Sequence, residues 1–349
     1  TEGVNLFNKA GLFYSRRIGG NPKNFTNANL DDLENTTQSF TRMLNASKVS
    51  GTTDKNLSIG MLNALTANNY AYGKDSTGAA VEVLTEPMTN YNVFAVDQRI
   101  GTNNSVGFIN SYVLRSNATG PSRDARVSAV TTNLNLLNNS HFLNATAAQS
   151  SVYDLENPYS GFAGGWEMGK QLGAWRWEHE LDAVTPNFDP NDLGFQRRGN
   201  KIHQDFSFSH QIQMPNKNLL RRQNRIRLQY RQLFEPRRFE RIHLEYKYFA
   251  LTRSFLAFGY ELEGRPKEYD FYDARVWGRY RANPASIKHK AWISSDFRKP
   301  FAYELRGGQW RWTDLGARGY WGSSLLIFRV NDQFNFRTEI SLENHRNVG

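Results

Sequence analysis

The sequence of 349 residues predicts an all-β fold, an antiparallel transmembrane β-barrel of roughly 14 to 18 strands. Apolar and polar residues alternate along many segments, such as RIHLEYKYFA at 241–250, and this period of two places successive side chains on opposite faces of a strand. Each run holds about 9 to 12 residues, whereas strands of soluble sheets average about five or six and membrane strands need about 9 to 11. Aromatic residues also recur near strand ends, as in the girdles that rings form at headgroup depth.

Aromatic residues make up 13% of the chain, which suits strands and interfaces better than helical bundles. The sequence contains no stretch of about 18 apolar residues, so it predicts no membrane-spanning helix. The residues assigned to girdles are Tyr246, Tyr248, Tyr260, Tyr272, Tyr280, Trp310, Trp312, Tyr320 and Trp321.

The alternation is most regular in the last third of the chain. Strands are predicted there at 204–214, 225–234, 241–250, 254–264, 272–282, 286–297, 319–330 and 334–344. Nearer the N-terminus they are predicted at 57–70, 90–101, 105–116, 126–138, 140–152 and 174–184. No repeat of fixed period occurs, so propellers and solenoids lose their main support.

Two parts are expected: an N-terminal loop or plug-like segment at 1–40, then the barrel at 41–349 with a long loop at about 184–203. The chain begins TEGVNLFNKAG, without Met or a charged-then-apolar leader, so we expect a processed or cut chain. It ends at Val348-Gly349 rather than on the aromatic residue that finishes many bacterial barrels. Either the final strands lie beyond this sequence or the terminal signal is unconventional.

The formal net charge of +10 belongs to residues 221–349, which hold 25 Lys+Arg against 14 Asp+Glu. In a barrel these side chains point into the lumen, so nucleic acid is not needed as a partner. The lumen-lining candidates are Arg225, Arg227, Arg241, His243, Glu245, Lys247, Arg275, Arg279, Arg281, Glu178 and Glu180. The lipid-facing candidates are Leu228, Tyr230, Leu244, Tyr246, Phe258 and Tyr260.

Two alternatives stay open for these faces. The charged rows form structural ladders across neighbouring strands, or they make a basic lumen that selects anionic or polyhydroxylated solutes. A soluble sandwich would also place apolar residues on one face of each strand, with that face buried between two sheets.

No motif predicts catalysis, a metal or a cofactor. The chain has no cysteine, its seven histidines lack metal-ligand spacing, and no nucleophile elbow or phosphate-binding loop occurs. Paired carboxylates for glycosidase chemistry are one alternative at Glu178, Glu180 and Asp182. A calcium loop is an alternative to a stiff turn at Asp189, Asn191 and Asp192, which lie near Pro186 and Pro190.

Four segments carry a family resemblance: LFYSRRIGG at 12–20, IGMLNALT at 59–66, EPMTNYNVFAVDQRIGTNNSVGFINSYVLR at 86–115 and NFDPNDLGFQRRGN at 187–200. They resemble the C-terminal region of a widespread Bacteroidota family of uncharacterised outer-membrane proteins. In that family a domain similar to carbohydrate-binding module 9 typically precedes the barrel, and we expect this chain to depart from that layout by lacking the domain. The resemblance implies a barrel in the bacterial outer membrane.

We therefore expect a non-enzymatic outer-membrane barrel without cofactors that acts as a channel, transporter or scaffold for saccharide or anionic solutes. The expected partners are the lipid bilayer, other outer-membrane proteins or lipoproteins, and saccharide. The alternatives are a barrel enzyme with a lumenal or rim site and a soluble carbohydrate-binding β protein.

Overall fold

The computed structural model describes residues 6–7, 11–22, 40–74, 77–116, 123–153, 157–212, 214–276, 278–313, 316–331 and 333–346. These ranges hold twenty strands and one short 3-10 turn, Ser15–Arg17, and none of their helices has the length and apolar character needed to cross a bilayer. The all-β prediction is confirmed. The strands are β1 Met43–Thr52, β2 Leu57–Thr66, β3 Asn69–Lys74, β4 Ala80–Glu86, β5 Thr89–Ile100, β6 Asn104–Arg115, β7 Asp124–Leu136, β8 His141–Tyr153, β9 Tyr159–Lys170, β10 Trp175–Val184, β11 Lys201–Ile212, β12 Leu219–Gln232, β13 Phe239–Thr252, β14 Ala257–Arg265, β15 Glu268–Asp270, β16 Arg281–Asn283, β17 Ser286–Ser294, β18 Phe301–Trp312, β19 Arg318–Arg329 and β20 Asn335–Arg346.

Sixteen strands form one antiparallel sheet in the order β1-β2-β5-β6-β7-β8-β9-β10-β11-β12-β13-β14-β17-β18-β19-β20. The four short strands pair separately, as the hairpins β3–β4 and β15–β16. The main sheet is therefore a meander in which chain neighbours pair and two hairpins are inserted between paired strands. No sheet closes on itself within the described residues, and β1 and β20 stand first and last in the order.

Alternation predicted most of the long strands and missed several others. Two long strands escaped because glycines interrupt their pattern: β9 contains four and β18 contains two in succession. Strand β1 lacks apolar alternation, and all ten of its residues are exposed.

The strand predicted at 272–282 is wrong. The chain turns there instead, since the Asp270 carboxylate accepts hydrogen bonds from the backbone N–H groups of Tyr272 and Asp273 at 2.8 and 2.9 Å. Arg275 follows with a positive φ of 49°. A capped turn of this kind competes with the sheet ladder for the backbone donors.

The chain divides into two compact units. Unit 1 comprises Thr1–Asn135, Leu143–Trp166 and Asp182–Lys201. One face of its sheet carries buried side chains such as Val93, Ile109 and Val127, while the segments around Leu12 and Leu193 cover them. Most of the predicted N-terminal loop, at 1–5, 8–10 and 23–39, lies outside the described residues.

Unit 2 comprises Leu136–Phe142, Glu167–Leu181 and Ile202–Gly349. Its buried apolar side chains in the described ranges are few, and three of the four are alanines: Ala250, Ala302, Ala317 and Leu325. Long strands with exposed apolar side chains dominate it instead. Its stability therefore depends on strand pairing more than on a packed core.

Candidate functional site

The strands of unit 2 have one apolar and one charged face. Phe206, Leu228 and Leu244 are aligned across β11, β12 and β13, and their side chains are between 41% and 48% exposed. One step along each strand the side chains point to the other face, where Arg227 lies opposite Glu245. The apolar row is therefore more exposed than the charged row.

Charged groups on the opposite face pair with one another. The Arg227 guanidinium donates to both oxygens of Asp205 from Nε at 2.8 Å, and Lys290 lies 3.6 Å from Glu261 on the paired strand. Charge partners across antiparallel strands stabilise a sheet modestly, by about 0.2 to 1 kcal/mol each. The contacts fit the structural-ladder interpretation of this face.

The other lumen-lining candidates on β12 and β13 are half-buried. His243 is 3.4 Å from Glu263 and also contacts the Gln229 side chain at 3.2 Å. Arg225 and Arg241 lie in the same alternating rows. On β10, Glu178 and Glu180 follow the alternation of Arg176 and Asp182, opposite in direction to Trp177.

The remaining lipid-facing candidates lie in the alternating rows of Leu228 and Leu244. Tyr246 is paired with Ile226 and Tyr260 with Tyr248, while the ring of Phe258 is 5.9 Å from that of Tyr248. The hydroxyl groups of Tyr230 and Tyr246 donate to the side chains of Gln232 and Asn224. All four of these ring side chains are half-buried: Tyr230, Tyr246, Phe258 and Tyr260.

Three of the predicted lumen-lining arginines lie outside the large sheet. Arg275 and Arg279 belong to the turn region after β15, and Arg281 begins β16 of the small hairpin. All three are exposed, and Arg281 pairs with Asp273 at 2.9 Å. The prediction that these three arginines lie in the charged rows is wrong, because the predicted strand at 272–282 is a turn.

The strand pairing also places the predicted girdle residues on different faces of the sheet. Tyr320 lies opposite Gln309 in the rows of the apolar face, whereas Trp310 lies opposite Lys288 and Trp321 opposite Gly308. The indoles of Trp310, Trp312 and Trp321 share the face of Lys288 and Glu263. Tyr272 and Tyr280 lie in the turn region, so only part of the predicted set alternates with the apolar rows.

In unit 1, three distant segments meet around one buried arginine. The Arg115 side chain donates from Nε to Glu86 at 2.9 Å and from Nη2 to Asp192 at 3.0 Å. All three side chains are at most 5% exposed. Such a buried set is stable only while each charge keeps its partners.

A cavity of about 290 Å³ opens beside this cluster. Most of its lining comes from the segments 12–20, 86–115 and 187–200, including Arg16, Tyr91 and Asn191. The segments are tied together directly, since Tyr14 N–H donates to Leu193 O at 2.6 Å. The residues that lent the sequence its resemblance therefore converge in space.

Comparison with known proteins identifies the family. A family model described as a domain of unknown function (DUF5916) matches residues 1–349. The chain belongs to the DUF5916 family. No curated protein and no solved structure matches the sequence. Membership leaves the activity of this DUF5916 chain open, because function depends on sites rather than on a fold.

The Asp189 region of the DUF5916 chain forms a turn. Asp189 accepts hydrogen bonds from the Asn191 backbone and side chain at 3.0 and 2.8 Å, and its other oxygen pairs with Arg123 at 2.7 Å. Asp192 is engaged by Arg115. These contacts favour the stiff turn over the calcium loop, since a calcium site would need the same oxygens.

One cluster with metal-ligand residue types was not predicted. Ligand atoms of Glu180, His203 and Asp205 lie within 4.8 Å of one another in unit 2. Asp205 is held by Arg227 through three hydrogen bonds, and a guanidinium at that distance repels a cation. The cluster is therefore a charge network. Sequence spacing could not reveal it because His203 and Glu180 come from different strands.

The cavity of the DUF5916 chain is lined by charged, amide and hydroxyl side chains, among them Arg16, Asn191 and Tyr14. Arg17, at its edge, donates to Gly194 O at 3.3 Å and lies over the Phe195 ring at 5.9 Å. The arrangement fixes two covering segments on the sheet.

Proposed function

We propose that this DUF5916 chain forms the wall of a bacterial outer-membrane β-barrel and acts as an occluded transporter rather than as an open pore or an enzyme. Lipid would contact the rows of Leu228 and Leu244, and the rows of Arg227 and Glu245 would face the lumen. Other outer-membrane proteins or lipoproteins are the proposed partners.

The exposed apolar rows are the observation that carries the proposal. Neighbouring exposed side chains on β11 to β13 include Phe206, Phe208, Ile226, Leu228 and Leu244. In water such a contiguous surface is unfavourable by about 25 cal/mol per Å², and large patches of this kind mark protein or membrane contacts. A soluble sandwich would bury these rows, so their exposure supports the membrane proposal over that alternative.

Strand length gives independent support. β12 and β13 have 14 residues each and β11 has 12. A tilted membrane strand needs about 9 to 11 residues, so these strands exceed the hydrocarbon thickness and reach the aqueous region.

Closure is part of the proposal. In hydrocarbon an open edge leaves backbone donors and acceptors without partners, at several kcal/mol each. We therefore propose that β1 and β20, which end the strand order, pair in the membrane with each other or with further strands. Their residues are almost all exposed, as expected of strands that await partners.

The occluded lumen is proposed from unit 1. The segments around Leu12 and Leu193 cover the sheet face that would line the lumen there, and Phe188 packs in the same cluster. The connection between β10 and β11 runs from residue 185 to 200 and supplies Phe188 and Leu193 to this cover. An open channel would leave that face to water.

The direct test is to fold the purified chain with and without phospholipid vesicles. We expect a compact form that needs vesicles or detergent and that migrates faster on gels before heating than after it. In planar bilayers this form should conduct little, because the lumen is covered. A monomeric chain that folds without detergent would overturn the membrane proposal, and a large steady conductance would overturn the occlusion.

A further inference from the structure

A second cavity, of about 350 Å³, lies in unit 2 on the charged face of β14, β17, β18 and β19. Three indoles line it: Trp310, Trp312 and Trp321. Two carboxylates and two ammonium groups complete the lining on that face: Glu261, Glu263, Lys288 and Lys290. The volume lies at the lower end of the range for ligand pockets in proteins.

Glycines on the neighbouring strand fix the indoles. Trp321 is paired with Gly308, and a Cβ built at Gly308 would lie 2.7 Å from the indole Nε1. Trp310 lies in the same way against its own partner, Gly319. An aromatic ring resting over a cross-strand glycine has little freedom to rotate. The rings are therefore held in place before any ligand arrives.

A lipid girdle does not account for these rings. Trp310 is paired with Lys288, and both point to the face opposite Leu305 and Ile287, which are exposed. An indole in a girdle shares a face with apolar side chains. Three indoles among charged groups instead offer flat apolar surface inside a polar site, which is a binding arrangement.

The charges around the rings are balanced. The two carboxylates of the lining, Glu261 and Glu263, match its two ammonium groups in number, and Lys290 is 3.6 Å from Glu261. A site selective for an anion or a cation would carry an excess of the opposite sign. Balanced carboxylates and ammonium groups instead offer acceptors and donors side by side, which suits hydroxyl groups that both donate and accept.

We propose that this cavity binds a neutral pyranose ring of a saccharide. The apolar C–H face of the sugar stacks on an indole, with the hydroxyl groups around its rim bonding to Glu261, Lys288 and Lys290. Binding depends only on the geometry of unit 2. The consequence that saccharide is the transported solute rests on the proposed function above.

The experiment follows tryptophan fluorescence of the folded chain during titration with glucose, galactose, N-acetylglucosamine, maltose and cellobiose. Dextran is a separate arm that distinguishes a polymer from a free sugar, and galacturonate and glucosamine are charged comparators. We expect a saturable change with at least one neutral sugar, at dissociation constants of about 1 mM or tighter.

Trp312→Ala tests the site, because Trp312 contacts Trp310 at a ring separation of 5.4 Å and is not the indole seated over Gly308 or Gly319. It should weaken binding about tenfold or more, the effect of losing about 1.4 kcal/mol. Trp312→Phe should restore most of the affinity. The matched control is Trp175→Ala, which removes a 54% exposed indole stacked on Phe208 far along the sheet order.

Three results would overturn the proposal: no saturable response to any neutral sugar or to dextran, equal binding by Trp312→Ala and the wild type, or charged sugars bound better than neutral ones. If Trp312→Ala fails to fold, Lys290→Met takes its place with the same expected loss. A chain that binds sugar but folds without detergent would keep this site and overturn only the membrane proposal.

Discussion

Leu228 and Leu244 lie directly opposite each other on β12 and β13, and each side chain is more than two fifths exposed. Their immediate neighbours Arg227 and Glu245 point to the other face. A sheet that exposes leucine while pairing its charges is inverted relative to a soluble protein, and the proposed lipid contact explains the inversion.

The first prediction concerns this inversion. Leu244→Lys should prevent or destabilise folding into vesicles by about 2 to 4 kcal/mol, the effect of a basic residue at mid-depth in a barrel. His243→Lys is the control, since its side chain lies on the opposite face near Glu263. Heat-modifiable gel mobility and urea unfolding in vesicles measure both. Equal tolerance of the two substitutions would remove the lipid assignment of the leucine face.

The second prediction concerns the buried arginine of unit 1. Arg115→Met leaves Glu86 and Asp192 buried without their shared cation, so the free energy of unfolding should fall by about 3 to 5 kcal/mol. Arg126→Met, at an exposed position on β7, is the matched control and should change it little. Denaturant unfolding of both variants measures this difference. If the Arg115 cluster does not contribute to stability, the two variants will have the same free energy of unfolding.

The third prediction concerns the cover of unit 1. A Cβ at Gly194 would lie 2.9 Å from Pro190 O and 3.0 Å from Gly11 O, both rigid backbone atoms. Gly194→Ala should therefore loosen the 185–200 segment by about 1 to 3 kcal/mol, the usual effect of overpacking. Proteolysis within the segment should rise about tenfold for each 1.4 kcal/mol, and bilayer conductance should rise with it.

Gly51→Ala is the control for that experiment, because nothing lies within 4 Å of a Cβ at this position. If Gly194→Ala leaves both the cleavage rate and the conductance at the wild-type values, the segment does not close the lumen.

The fourth prediction concerns pH and the loop between β17 and β18. Hydrogen bonds from the side chain and the backbone of Arg298 lower the pKa of Asp296 from 3.8 to about 2. A lowered pKa means that the folded state favours the carboxylate, so this contact stabilises the loop above pH 3.8 and is lost as the pH falls towards 2. The stability difference between the wild type and Asp296→Asn should shrink across that window.

Thermal unfolding at a series of pH values measures this difference. Asp54→Asn, in the exposed turn between β1 and β2, is the control. The Arg298 contact is not the cause if the Asp296→Asn difference stays constant from pH 5 to about pH 2.

Local pattern accounts for much of the fold. Strands such as β13 were predictable because apolar and polar residues alternate over ten consecutive positions. In a pleated strand, successive side chains point to opposite faces, so this alternation gives one apolar and one polar face. The same rule failed at 272–282, since alternation cannot register that Asp270 caps a turn. It also missed β9 and β18, in which glycines carry no side chain to mark a face.

The candidate sites were less accessible to sequence reasoning. The face that Trp310 and Trp321 occupy depends on the register of β17, β18 and β19, and a shift of one residue would reverse it. Their proximity to Gly319 and Gly308 is likewise a property of pairing. Sequence marked these residues only as aromatic and near strand ends.

By itself the sequence determined the all-β class and most of the long strands, and it showed that many of these strands have one apolar and one charged face. These features follow from the order of neighbouring residues. Only the tertiary structure decided that the oily side of unit 2 is exposed and that Arg115 joins Glu86 and Asp192, which are 29 and 77 residues away. Burial and ion pairing over such separations depend on which strands become neighbours in the sheet. The alternation of apolar and polar residues along one strand does not contain that information.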